Sequence, residues 1–95
     1  MTLKFEPWGN GPIFEWDENN VEKIWAHGIE PLEVEQCFEL ENARVVIPHA
    51  KAKSAPEKYG DRYMVRGVTH GGRKLLVTVQ HVGGNIVRPI TAWEL

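Results

Sequence analysis

All five arginines of this chain lie from position 44 onward: Arg44, Arg62, Arg66, Arg73 and Arg88. A guanidinium is a planar fork of fixed charge that grips phosphate oxygens two at a time. Residues 44–95 hold nine basic and three acidic side chains, a balance of +6, whereas residues 1–43 hold two basic and ten acidic, a balance of −8. The net charge of −2 hides this division. Acidic elements laid against a basic sheet can complement it internally, or leave a basic pole suited to phosphate. Four histidines, His27, His49, His70 and His81, carry groups that titrate near neutral pH. Their spacing matches no metal site, and there is neither a Cys–His cluster nor a glycine-rich phosphate loop. Cys37 stands alone, so no internal disulfide forms, which leans toward a reducing compartment.

Holding these side chains falls to the C-terminal stretch. Leu75, Val77 and Val79 alternate with Lys74, Thr78 and Gln80, the period-2 pattern of a half-buried strand. Gly71-Gly72 and Gly83-Gly84 bracket that run, and Gly-Gly suits two-residue turns that need φ > 0. The pattern predicts a three-stranded antiparallel meander of Arg62–His70, Arg73–Val82 and Asn85–Trp93, with the middle stretch central. Two-residue turns would set Arg66 opposite Val77, Val77 opposite Ile90, and Val79 between Met64 and Arg88. One face would then carry Met64, Arg66, Val68, Leu75, Val77, Val79, Arg88 and Ile90 and meet the helices. The other would carry Tyr63, Gly67, Lys74, Gln80 and Trp93, a mixed face better suited to a ligand. Pro89 makes the last strand an edge strand or a bulged one.

Upstream, residues 1–12 read as an extended arm in which Trp8 packs, followed by a short strand, Ile13–Trp16. Asn19 and Glu22 have capping-box spacing, with Val21, Ile24 and Trp25 on one helix face and Gly28 as the stop. Pro31 opens a second helix with Leu32, Val34, Cys37 and Phe38 as its stripe and Asn42 at its end. Arg44–Pro48 reads as a strand, and His49–Gly60 as an exposed, mobile loop. The fold class expected is α+β, in the order β-α-α-β-β-β-β: one domain over residues 1–95, a mainly antiparallel sheet with an N-terminal pair of helices on one face. No apolar run approaches a membrane span, and no leader pattern opens the chain.

An ordered set of short pieces resembles the BrnT family of bacterial toxins, as a divergent, shortened branch. These are Phe14-Glu15-Trp16-Asp17, His27-Gly28-Ile29, Glu33-Val34-Glu35, Arg62-Tyr63, Gly67, Gly72-Arg73-Lys74-Leu75-Leu76-Val77 and Arg88-Pro89-Ile90-Thr91-Ala92. The resemblance implies a RelE-like fold and a cytoplasmic, metal-independent endoribonuclease, without cofactor, that blocks translation. Its implied partners are RNA and a BrnA-like antitoxin, with promoter DNA bound only through the antitoxin. Nothing in the sequence excludes a homo-oligomer.

Cleavage of RNA without metal needs a base for the 2′-hydroxyl, cations for the phosphorane and an acid for the leaving oxygen. By resemblance the catalytic candidates are Arg62, Arg73, Arg88 and His27. The register above turns Arg88 toward the helices, where it would pair with a carboxylate such as Glu22 or Glu35 unless Pro89 re-aims it. Arg73, at a hairpin mouth, is either a ligand contact or a solvated turn charge. His27 is either catalytic or a helix-end hydrogen-bonding group. Tyr63, Lys74, Gln80 and Trp93 are candidates for RNA binding, since an aromatic on a sheet face can stack a base. Packing against the arm or a partner is the other reading of the two aromatics. A non-catalytic binding module on the same fold, binding a partner or RNA, is the competing function.

Overall fold

The hairpin at Thr69–Arg73 decides which side chains share a face. Thr69 N–H donates to Arg73 O at 2.9 Å and Gly72 N–H to Thr69 O at 3.0 Å, so the loop is His70-Gly71-Gly72. Gly72 takes φ +86°, a conformation that favours glycine. A three-residue loop of this kind, closed by a glycine of positive φ, shifts the register by one residue from that of a two-residue turn.

The computed structural model describes residues 6–39 and 44–95. Its elements are β1 (Ile13–Phe14), α1 (Glu18–Ala26), α2 (Pro31–Gln36), β2 (Val45–Pro48), α3 (Pro56–Tyr59), β3 (Arg62–Val68), β4 (Lys74–Gly83) and β5 (Ile86–Glu94). The fold is α+β: a five-stranded mixed sheet in the order β1-β5-β4-β3-β2, with three short helices. Only β1 runs parallel to its neighbour; β2 to β5 pair antiparallel. The meander stands as expected, with β4 central.

The faces do not. Val65 pairs with Val77, and Arg66 with Leu76. Along β5, Val79 pairs with Pro89 and Gln80 with Arg88, with bulges on either side. The inward face of the three strands is therefore Val65, Gly67, Leu75, Val77, Val79, Val87, Pro89 and Ala92, most of them wholly buried. The expected faces of β3 and of the first half of β5, through Pro89, are exchanged, while those of β4 and of Ala92-Trp93 beyond the bulge hold. Tyr63 joins the inward set and Arg88 leaves it. A strand's side-chain period is two, so a slip of one residue turns the whole strand over.

Ile24, Ile29, Val34, Cys37 and Phe38 complete the core above this face. Asp17, not Asn19, caps α1: its carboxylate accepts from Asn19 N at 2.9 Å and Asn20 N at 3.2 Å, while Asn20 Oδ1 accepts from Asp17 N. The buried positions of α1 are Asn20 and Ile24, and Trp25, expected in the core, is 60% exposed. Gly28 stops α1 at φ +73°, and Pro31 opens α2 as its spacing predicts. Asn42, the expected end of the second helix, lies outside the described residues. Gly67 lies under the end of α2: a Cβ there would sit 2.5 Å from Cys37 Cβ. The arm is anchored, since Trp8 is buried and packs edge-on against Phe38 and Tyr63. The 49–60 segment is more ordered than a loop: it forms α3, and the Tyr59 ring stacks on His49 with centroids 4.6 Å apart.

Candidate functional site

Three of the sequence's candidates fall in one cross-strand row. Arg62 of β3 pairs with Gln80 of β4, and Gln80 pairs with Arg88 of β5. Directly opposed residues bring their Cβ atoms to about 5 Å. The three side chains, with Ile90, floor a groove of about 680 Å³ on the outward face of the sheet. Its wall is α1, through Asn19, Glu22, Lys23 and Ala26. Those four recur at i, i+3, i+4 and i+7, one face of a helix.

The wall stands where it does because of the β5 edge. Strand β1 covers only the start of that edge, pairing Ile13 with Ile86 and Phe14 with Val87, and the bonds from Ile13 N to Asn85 O and Glu15 N to Val87 O, both 2.8 Å, flank the pairing. The next outward carbonyl, Pro89 O, accepts from Asn20 Nδ2 at 2.9 Å, and the same amide also donates to Glu15 O. Pro89 has no N–H to satisfy, so α1 replaces the strand without leaving an orphan donor.

Each guanidinium of the row is held differently. Arg88 Nη1 lies 2.7 Å from Asp17 Oδ2 and 3.3 Å from Glu15 Oε1. The hydrogen bond from Arg88 holds the Asp17 carboxyl below its ordinary range, and Asp17 in turn raises Arg88. Among the described residues, Arg62 has only Asp61, whose Oδ1 lies 3.7 Å from Nε, and that buried nitrogen has no hydrogen-bond partner. Asp61 is meanwhile engaged through its other oxygen by Gln80 Nε2 at 2.8 Å. A buried donor without an acceptor costs about 1–3 kcal/mol.

The remaining candidates lie elsewhere. Arg73, expected to be free, is clamped: Nη1 donates to both oxygens of Glu33 at 2.8 and 2.9 Å and to Gly28 O at 3.2 Å, and Nη2 donates to Glu94 at 2.9 Å. It ties α2 and the α1 stop to the end of β5, and Glu94 and Glu33 raise its pKa. Tyr63 packs in the core against Trp8. Lys74 is exposed on the outward face, beside a separate hollow lined by Arg66, Val68 and Leu95. Trp93 is 37% exposed on that face, with its ring 6.4 Å from that of His27. Thus His27 and Trp93 meet each other at the C-terminal end of α1, outside the groove.

Burial pushes the Cys37 thiol up to about 11, which leaves it protonated and inert. Among the described residues, no group of three or more His, Cys, Asp or Glu side chains is placed to hold a metal ion, and no helix is long and apolar enough to cross a membrane.

No family model and no curated protein matches the chain. The chemistry must therefore be read from the groove. Two guanidiniums, two amides and an ammonium converge there with one carboxylate, a set that binds a phosphodiester and has a proton acceptor at hand. Glu22 and Lys23 belong to this set though the sequence offered Glu22 only as a capping residue or a partner for Arg88, which pairs with Asp17 and Glu15 instead, and did not single out Lys23. Their signal was the polar helical face Asn19, Glu22, Lys23, which has no meaning until α1 is placed beside the sheet.

Proposed function

We propose that this chain is the ribonuclease toxin of a toxin–antitoxin pair, RelE-like in fold and a divergent member of the BrnT family. It cuts RNA without a metal ion, blocks translation in the cytoplasm and is neutralised by a BrnA-like antitoxin, through which alone the pair meets promoter DNA. The observation that carries this reading is the row Arg62–Gln80–Arg88 along the floor of the groove. Arg62 and Arg88 flank the position a scissile phosphate would take, where preorganised cations stabilise a phosphorane. Gln80 lies between them as a neutral donor. In this reading Arg73 is the clamp that holds the helices in place, and His27 with Trp93 forms a platform beyond the groove for a flanking base.

One observation favours the non-catalytic alternative, a module that binds RNA or a partner: Arg88 Nη1 is already engaged by Asp17 and Glu15. The purified chain incubated with RNA, with and without ribosomes, separates the two. Cleavage with arrest of growth on induction supports the toxin. Saturable binding without cleavage under both conditions leaves the module. Co-purification with the product of the adjacent gene tests the antitoxin.

A further inference from the structure

The ribonuclease reading leaves the proton acceptor unnamed, and the placement of the titratable groups narrows it. None of the four histidines lines the groove. The His27 ring lies beside Trp93, His49 stacks on Tyr59, His70 pairs with Glu39, and His81 Nε2 contacts Gly84 O at 2.7 Å. The carboxylates nearest the row are engaged: Glu15 and Asp17 by Arg88, Asp61 by Gln80. One carboxylate lines the groove itself, Glu22, and it makes no hydrogen bond or ion pair among the described residues. The charged groups that face it are Lys23 from its own helix, Arg62 from β3 and Arg88 from β5, with the neutral Gln80 from β4.

We propose that Glu22 is the general base for RNA cleavage in this groove and that Lys23 is the general acid; the assignment rests on the ribonuclease reading above. The Glu22 carboxylate takes the proton of the 2′-hydroxyl, and the 2′-oxygen forms a bond to phosphorus. The bond from phosphorus to the 5′-oxygen breaks with its electron pair, and the Lys23 ammonium gives that oxygen a proton. The products are a 2′,3′-cyclic phosphate and a 5′-hydroxyl. One proton then passes from Glu22 to Lys23 through solvent, so the enzyme returns to its starting state. Arg62 and Arg88 hold the phosphate, since a guanidinium does not release a proton in proteins. Lys23 is the ammonium among the lining groups, adjacent to the base on the same helix.

The test compares the parent chain with E22Q. Single-turnover cleavage of an RNA oligonucleotide is measured beside binding of its 2′-deoxy counterpart, which cannot react. General-base loss is expected to slow cleavage roughly 10²–10⁴-fold. Binding should stay at the parental level or tighten, because a negative charge leaves a phosphate site, and the thermal midpoint should hold because Glu22 is exposed. E22D should recover part of the rate. If the parent cleaves and E22Q cleaves at the parental rate, the Glu22 assignment is overturned and the ribonuclease reading stands. If E22Q loses binding in proportion to rate, Glu22 is a structural or binding group and not the base. A parent that cleaves no RNA overturns both.

Discussion

Asn20 hydrogen-bonds the carbonyl of Pro89 from a position that is 2% exposed, and so closes the β5 edge where β1 ends. Its replacement by Ala leaves Pro89 O without its donor and removes the Asn20 half of the capping box. Unmaking buried hydrogen bonds of this kind costs about 2–3 kcal/mol. Denaturant unfolding of Asn20→Ala should show that loss in the midpoint, with an unchanged slope. Full parental stability would remove α1's claim to be a sealed edge.

Arg73 is expected to act through stability. Arg73→Ala should lower the thermal midpoint, and more so at low salt, because its carboxylate partners are partly exposed and screened by ions. Arg73→Lys should not restore the loss, since a single ammonium cannot bridge Glu33, Gly28 O and Glu94 together. Scans in low and high salt decide it: an unchanged midpoint in Arg73→Ala would return the residue to the list of free ligand contacts.

Within the row, Arg62 and Arg88 should separate. Each Ala variant should bind RNA more weakly and reduce the salt slope of binding by about 0.7, the value for one lost contact to a single strand. Only Arg88→Ala should also lower the unfolding midpoint, because it releases Asp17 and Glu15. Anisotropy titrations across a salt series, run beside thermal scans, measure both. An unaltered slope in both variants would empty the groove of phosphate.

The acid limb of stability should depend on Asp17. Its carboxyl is depressed in the folded chain by the hydrogen bond from Arg88 and those from the start of α1. A depressed carboxyl stabilises fully above the unfolded value of about 4, and the contribution is lost as pH falls through the lowered folded value. Asp17→Asn keeps the capping oxygen and removes the charge. It should be less stable than the parent at neutral pH, with the gap closing below about pH 4. Denaturant midpoints across that range check the sign; a gap constant with pH would exclude linkage through this pair.

Gly67 is the close approach between sheet and helix. Alanine there would place a methyl 2.5 Å from Cys37 Cβ and 2.7 Å from Cys37 O, atoms that cannot swing aside. Overpacking of this kind costs about 1–3 kcal/mol. Gly71→Ala, with the nearest atom at 3.8 Å, is the control and should be far milder. Equal midpoints for the two variants would contradict the packing.

The sequence by itself determined the central strand and the elements other than α3, which falls in the stretch read as a loop. Alternation of Leu75, Val77 and Val79 between two glycine pairs is a local pattern that marks the strand without reference to the rest of the chain, although the turns themselves fall at His70-Gly71-Gly72 and Gly84-Asn85 and not at the two glycine pairs. The same holds for Pro31 opening α2 and Gly28 closing α1. Register was not local. Whether Gly71-Gly72 made a two- or a three-residue loop turned on which side of β3 could bury, and Val65 with Gly67 beneath Cys37 settled it. That one residue turned Tyr63 inward, and the bulges about Pro89 turned Arg88 outward into the row with Arg62 and Gln80. Equally, the groove wall was invisible because nothing in Asn19, Glu22 and Lys23 says that α1 will take over from β1 beside Pro89 O. A hydrogen bond spanning residues 20 and 89 belongs to the tertiary structure alone, and that bond brings the polar face of the helix to the basic face of the sheet.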